Sequence, residues 1–282
     1  MLQQLTIIAP GLLGASLGMA AKHLGLVQRV HVWARRIETR LECEAQPWCD
    51  AVFAEPAEAA DGADLVVICT PVGEIARYAA MLAPRLRPGA VVTDVGSTKG
   101  LLCREAHASM PEGVAFVGSH PMAGSEKTGL ANAQADLFRE RACLVTPLPQ
   151  TPQPAVETVC RFWRGLDMEV TTMSPDRHDE IVAHISHVPH LLASALCSML
   201  AQQDPGTWQA FAGNGLRDTT RIAAGSPTLW RDIVEQNRDE VLRTLSSFED
   251  ELALLRSSIA NRDWPSVRHL LERGKHYRDL LA

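Results

Sequence analysis

The chain lacks a paired, closely spaced set of cysteines, a surplus of positive charge and a long apolar run, and each absence removes a class of protein. Its seven cysteines (Cys43, Cys49, Cys69, Cys103, Cys143, Cys160 and Cys197) are scattered and never spaced C-x-x-C, which suits neither a disulfide framework nor a zinc ribbon. They are expected to be reduced thiols. A formal net charge of −6 with a pI near 5.9 argues against a nucleic-acid-binding surface but leaves room for a local basic pocket. No apolar run approaches the roughly 20 residues of a bilayer span, and the start, Met1-Leu2-Gln3-Gln4-Leu5-Thr6, has neither the basic segment nor the apolar core of a signal peptide. The expectation is a cytoplasmic protein acting on small molecules, without nucleic-acid or membrane partners.

What is present is an ordinary globular composition, 46% hydrophobic and 21% charged over 282 residues, with room for two domains. Short apolar runs at Leu5–Ala9, Val30–Trp33, Asp64–Thr70 and Ala90–Val95 alternate with helix-length segments, the pattern of a parallel sheet covered on both faces. Val114–Ser119, Ala142–Thr146 and Glu169–Met173 read as continuing that sheet. From Ser174 the strand signal stops, and Ser174-Pro175 and Ser226-Pro227 look like N-caps followed by first-turn prolines. The chain therefore reads as an α/β domain over residues 1–173, a doubly wound Rossmann-like parallel sheet, and an all-α domain over 174–282. Leu242, Leu245, Phe248, Leu252 and Leu255 form an apolar stripe at helical spacing, suited to domain core or to dimer contact.

Ile7-Ile8-Ala9-Pro10-Gly11-Leu12-Leu13-Gly14 follows the first strand and opens a helix, the context of a dinucleotide-binding G-x-G-x-x-G turn with Ala9 at its first position. Gly11 would let the backbone approach a pyrophosphate at the helix N-terminus beside Leu12 and Leu13, and Gly14 would let the helix pack closely on the sheet. At the end of the second strand, where an acidic residue would receive a ribose hydroxyl, stand Ala34, Arg35 and Arg36. Guanidinium groups suit a 2′-phosphate, so NADP is expected over NAD, though arginines opening a helix are also commonly just solvated. Thr70-Pro71 and Asp94–Gly100, at the ends of later strands, should rim the same crevice.

Gly118-Ser119-His120-Pro121-Met122-Ala123-Gly124-Ser125-Glu126 places a histidine on a glycine-bounded turn, able to move protons or simply to shape the turn. His184, His187 and His190 recur every three residues. No acidic partner at ligand spacing accompanies them, so no metal is expected. Pro189 removes the donor to the Ile185 carbonyl and should kink this helix, reorienting His190.

Taken in order, Asp94–Gly100, Gly118–Glu126, Ser186-His187-Val188-Pro189-His190, Asp218-Thr219-Thr220-Arg221-Ile222-Ala223 and Trp230-Arg231-Asp232-Ile233 closely resemble the prephenate and arogenate dehydrogenases of tyrosine biosynthesis. The resemblance runs from the first strand to at least the helix after Trp230, with Ala9 its clearest departure. It implies oxidation of a cyclohexadienol by hydride transfer to a nicotinamide, with loss of carbon dioxide, and a homodimer built through the helical domain. By the same resemblance His120 is the base, Ser97 orients His120 and the substrate hydroxyl, His190 contacts substrate, His187 supports the site and Arg221 binds a carboxylate. Glu126 and Trp230 match positions near the cleft, with plain readings as a surface carboxylate and a core ring.

Two further readings stay open at this point. A dehydrogenase acting on a β-hydroxy acid or imine would be expected to carry a lysine in its helical domain, where Lys275 is the only lysine after Ser174. A dinucleotide-sensing protein without turnover is suggested by Ala9-Pro10 in the phosphate loop, and opposed by intact Ser97, His120, His190 and Arg221.

Overall fold

In the computed structural model, which describes residues 1–123, 129–203 and 208–281, the alternation of strands and helices is present from the first residues onward. β1 (Leu2–Ile8), β2 (Val27–Trp33), β3 (Ala51–Phe53), β4 (Leu65–Ile68), β5 (Val91–Asp94) and β6 (Ala115–Phe116) lie in the order β3-β2-β1-β4-β5-β6, each pairing parallel. The winding reverses between β1 and β4, so the loops after these two strands open a crevice at the carboxyl edge of the sheet. The helices α1 (Leu12–His23), α2 (Ile37–Glu44), α3 (Pro56–Ala59), α4 (Val72–Leu82) and α5 (Gly100–Ala108) intervene along the chain. A sheet covered on both faces needs apolar side chains on both. In β4, Leu65 and Val67 enter one core and Val66 and Ile68 the other.

The second half of the sheet departs from the expectation. The chain leaves the parallel sheet after β6, and β7 (Gly118–Pro121), β8 (Ala142–Thr146) and β9 (Glu169–Thr172) form a separate three-stranded sheet. There β7 and β8 are antiparallel, and β8 and β9, joined through α6 (Gln153–Gly165), are parallel. The run Val114–Ser119 is thus two strands. At the switch, the Ser119 hydroxyl donates to the Asp94 carbonyl at 2.6 Å and accepts from Trp163 Nε1 at 3.0 Å. Side-chain bonds here replace the ladder, which apolar patterning cannot reveal.

Next come α7 (Pro175–Val182), a π-helical turn over Ala183–His187, α8 (Val188–Ala201), α9 (Asn214–Thr220) and α10 (Pro227–Gln236). Both expected caps are present: Ser174 Oγ accepts from the Arg177 N–H at 3.2 Å, and Ser226 Oγ from the Leu229 N–H at 3.5 Å. The π turn sits directly before Pro189, so the helix meets the missing donor by widening its turn. Contrary to the expectation from the sequence, the 27-residue run Pro175–Ala201 is long and apolar enough to match a membrane span. Its buried residues include His178, Asp179, His187 and His190, so part of this helix faces a polar protein interior.

Compactness divides the chain into Met1–Asn237 and Arg238–Ala282. The second unit is a helical hairpin, α11 (Arg238–Ala260) and α12 (Trp264–Asp279). Asp263 caps α12 through the Ser266 N–H at 3.1 Å, and Arg273 pairs with Glu251 across the hairpin. Leu242, Phe248, Leu252, Leu254, Trp264 and Leu271 are exposed.

A Cβ at Gly118 would overlap Cys103 Sγ and Thr146 Oγ1. Gly118→Ala should therefore destabilise the protein by about 1–3 kcal/mol through overpacking, read as a lower urea midpoint. An unchanged midpoint would show that β7 has slack at this position.

Candidate active site

The nucleotide end begins with a strained residue. Ala9 has φ +68°, a left-handed conformation costing a non-glycine residue roughly 1–2 kcal/mol. Its N–H donates to the Trp33 carbonyl at 3.0 Å and its carbonyl accepts from the Gly11 N–H at 2.9 Å, so alanine holds the turn that the fingerprint assigns to glycine. A Cβ at Gly14 would stand 2.9 Å from the Ala9 carbonyl and 3.0 Å from Ile7 Cγ2, whereas one at Gly11 would meet nothing within 4 Å. Gly14 thus serves close packing, and Gly11 borders open space. No side chain caps α1, so its first-turn N–H groups, near Leu12 and Leu13, remain available to an anion.

Beside this turn lies a cleft of about 640 Å³, lined among others by Gly11, Ala34, Arg35, Arg36, Thr70 and Pro71. Arg35 and Arg36 are exposed, and neither pairs with a carboxylate among the described residues. The turn that presents them is held by Arg40, which the sequence reading overlooked and which donates to the Ala34 and Arg35 carbonyls at 3.0 and 3.2 Å. Arg77, also in the lining, is already engaged with Glu74 at 2.5 Å. Thr70 Oγ1 is buried with no hydrogen-bond partner. A buried hydroxyl left orphaned is costly, and its place in the lining fits a site made for a polar ligand. Open space at Gly11, a helix terminus without a side-chain cap, two guanidiniums without a carboxylate partner among the described residues and this hydroxyl together suit a dinucleotide.

The chemical end is organised around histidines. His120, on β7 and half-buried, has its Nδ1 2.9 Å from His178 Nε2, and His178 Nδ1 is 2.8 Å from Asp179 Oδ1. The Asp179 carboxylate also accepts the backbone N–H groups of Lys99 at 2.8 Å and Gly100 at 2.7 Å, at the start of α5. Burial, then the neighbouring His178, Lys99 and His187, hold His120 well below the ordinary histidine range. Burial likewise lowers His178, against a hydrogen bond to Asp179 that raises it. A neutral imidazole is the form that can accept a proton.

Asp94 and Lys99 do not line the crevice mouth as expected. Both side chains are fully buried and form an ion pair, with the Asp94 carboxylate also accepting from the Gly96 N–H at 2.7 Å and the Ser119 N–H at 3.1 Å. The pair closes the β5–α5 turn on itself, leaving half-buried Ser97 on that turn with no side-chain hydrogen bond among the described residues.

Of the three periodic histidines, His184 is exposed while His187 and His190 are buried. Asn237 Nδ2 donates to the Asp179 carbonyl at 2.9 Å and to His187 Nδ1 at 3.1 Å. His190 stacks on Trp230 with centroids 3.6 Å apart and planes 10° from parallel. A Cβ at Gly225 would lie 2.6 Å from Trp230 Nε1 and 3.1 Å from His190 Cε1, so only glycine admits this stack. Burial lowers the His190 pKa, and an interaction with the Ile222 backbone works the other way. That places His190 against the segment carrying Arg221, which is exposed and unpaired among the described residues. Glu126 lies outside the described residues. Among those described, no cluster of His, Cys, Asp or Glu is arranged to hold a metal.

Comparison with known proteins agrees in sequence and in fold. Residues 27–172 match the family described as prephenate dehydrogenase, nucleotide-binding domain, and residues 174–273 that described as prephenate dehydrogenase, dimerization domain. A cyclohexadienyl dehydrogenase of Zymomonas mobilis is 31% identical over 264 residues, 93% of this chain and 90% of the relative. A crystal structure of prephenate dehydrogenase from A. aeolicus in complex with hydroxyphenyl propionate and NAD+ superposes with a TM-score of 0.94 at 28% identity, covering 100% of this chain and 99% of that one. The Synechocystis arogenate dehydrogenase structure gives 0.87 at 27% identity, covering 99% of this chain and 100% of that one.

Burial pushes His187 down to about 4. Unfolded, it takes a proton near pH 6.5; folded, it stays neutral to about 4, so its contribution to stability is complete above pH 6.5 and is lost as pH falls from there toward 4. The lowered His31, His120, His178 and His190 act with the same sign. Urea unfolding should show at least about 2 kcal/mol less stability at pH 5 than at pH 7. Equal stability at the two values would contradict the neutral, buried state of His187.

Proposed function

The chain belongs to the prephenate dehydrogenase family, and on that premise we propose that it oxidatively decarboxylates prephenate or arogenate, giving hydroxyphenylpyruvate or tyrosine. The observation that carries the reading is His120, held neutral with its Nδ1 engaged by His178, which leaves Nε2 as its free basic nitrogen. When bound, the nicotinamide ring supplies the acceptor for the hydride. The ring hydroxyl gives its proton to His120 Nε2 while its carbon loses that hydride. Carbon dioxide then leaves the quaternary carbon, its bonding pair aromatises the ring, and the phenolic oxygen takes the proton back from His120.

Position supports the other roles. Ser97, with its hydroxyl uncommitted, orients the substrate hydroxyl. His190, stacked on Trp230, and Arg221 bind the substrate, with the guanidinium on a carboxylate as a two-pronged contact. His187, tied to Asn237, shapes the wall behind them. Arg35 and Arg36 receive a 2′-phosphate, making NADP the preferred cofactor and NAD the weaker one, with Gly11, Leu12, Leu13, Gly14, Ala34, Thr70 and Pro71 along the remainder of the dinucleotide. Residues 1–173 act as the nucleotide domain and 174–282 as the substrate and dimerisation domain. A homodimer through the helical segment accords with the description of the matched family and with the apolar side chains exposed on α11 and α12. The free thiols suit the reducing cytoplasm.

Initial rates with prephenate and arogenate, each with NAD and NADP, should show turnover chiefly with NADP. Silence with both substrates would overturn the assignment. His120→Asn should lose about 100-fold or more in kcat while retaining cofactor affinity. Arg35→Ala should raise KM for NADP about tenfold with little change for NAD; equal shifts for both cofactors would remove the 2′-phosphate contact.

A further inference from the structure

The chain of contacts behind His120 has a direction. The Asp179 carboxylate already accepts two backbone N–H groups at the start of α5, one on each oxygen. An ionised carboxylate only accepts, so the 2.8 Å contact to His178 Nδ1 requires that nitrogen to carry the proton. A neutral His178 then has a bare Nε2, which can only accept. The 2.9 Å contact from His120 Nδ1 must therefore be an N–H donated to it, and neutral His120 has no second proton for its Nε2.

We propose that His178 and Asp179 are positioning residues that lock His120 as its Nδ1–H tautomer and so present the Nε2 lone pair to the substrate. The proposal rests on His120 being the base of the reaction above. The opposite tautomer, with the proton on Nε2, is the one that predominates in free neutral histidine, and it would leave His120 unable to take the hydroxyl proton through that nitrogen. When His120 Nε2 receives that proton, the resulting cation is hydrogen-bonded through His178 to a carboxylate whose geometry is fixed by α5. The proton is held there until the phenolic oxygen reclaims it, so none needs to pass to solvent. Elsewhere, 0%-exposed His178 would be unremarkable as a packed core residue; its ring-to-ring bond with His120 is what gives it this role.

Two variants separate positioning from packing. In His178→Gln, an amide N–H turned toward Asp179 leaves the amide oxygen to accept from His120 Nδ1; His178→Leu offers no acceptor. With ¹⁵N-labelled histidine, long-range proton–nitrogen correlation spectra of the wild type near pH 7.5, assigned with His120→Asn and His178→Gln, should show both rings protonated on Nδ1. His178→Leu should return His120 mainly to the Nε2–H form and lower kcat about 100-fold, with KM changed less than about twofold. His178→Gln should keep the Nδ1–H form and recover at least about tenfold of that loss. An Nε2–H signal from His120 in the wild type, or identical kcat for the two variants, would overturn the proposal. If the wild type turns over neither substrate, the assigned reaction fails while the tautomer spectra still decide this point. Should His178→Leu not fold, the wild-type and His178→Gln spectra are sufficient.

Discussion

The Asp179 carboxylate is the point through which the site is built. It receives the first N–H groups of α5, fixes the His178 ring, and through its own backbone carbonyl receives Asn237. One residue thereby joins the β5–α5 turn, α7, the end of α10 and, through His178, the His120 strand. A buried carboxylate is tolerable only when its lost hydration is replaced, and here three N–H donors replace it. Loss of the carboxylate would leave those donors unpaired, at about 1–3 kcal/mol for each. The adjacent Asp94–Lys99 pair obeys the same rule, with Gly96 and Ser119 satisfying the remaining carboxylate valence. Together they make a rigid polar floor on which a neutral histidine stands.

The nucleotide end shows the opposite economy, a small local strain accepted for geometry. Ala9 occupies the left-handed region, yet its N–H and carbonyl are both used and the turn is closed by Gly11. The residue that cannot be changed is Gly14, where a Cβ would press on the Ala9 carbonyl. Conformation and clearance are separate demands on this loop, and the chain meets the first at a cost and the second with glycine. Ala9 is therefore a departure in residue type that leaves the backbone path of the phosphate turn in place.

The legible parts of the molecule were those carried by short-range pattern. Alternating apolar runs marked β1, β2, β4 and β5, while β3, three residues long, has no room for a pattern. Ser-Pro pairs marked the starts of α7 and α10, and motif order singled out His190 and Trp230, which stack on each other. What was hidden depends on distant partners. His178 and Asp179 sit inconspicuously in the first helical turns after Ser174, and their meaning comes from His120 and from Lys99 and Gly100, about 60 to 80 residues earlier in the chain. The Ser174 cap placed both residues on a helix, and an acid next to a histidine there was the available signal. Asp94 and Lys99 were read as part of a crevice rim because charged residues after a strand usually face solvent; that they pair with each other inside the protein depends on the fold of the turn. The second sheet was hidden because its strands have the same apolar character as the first, and partner choice at Ser119 rests on hydrogen bonds.

The proposed role of His120 as a neutral base at working pH is tested most directly by the acid limb of kcat/KM. His120 faces His178, Lys99 and His187, and Asp94 and Asp179 lie behind them. Measured with prephenate and saturating cofactor after brief exposure to each pH, activity should hold below pH 6.5 and fall only with an ionisation well under that value. An acid limb centred at or above 6.5 would mean that His120 is charged rather than neutral at working pH, and would contradict its role as the base.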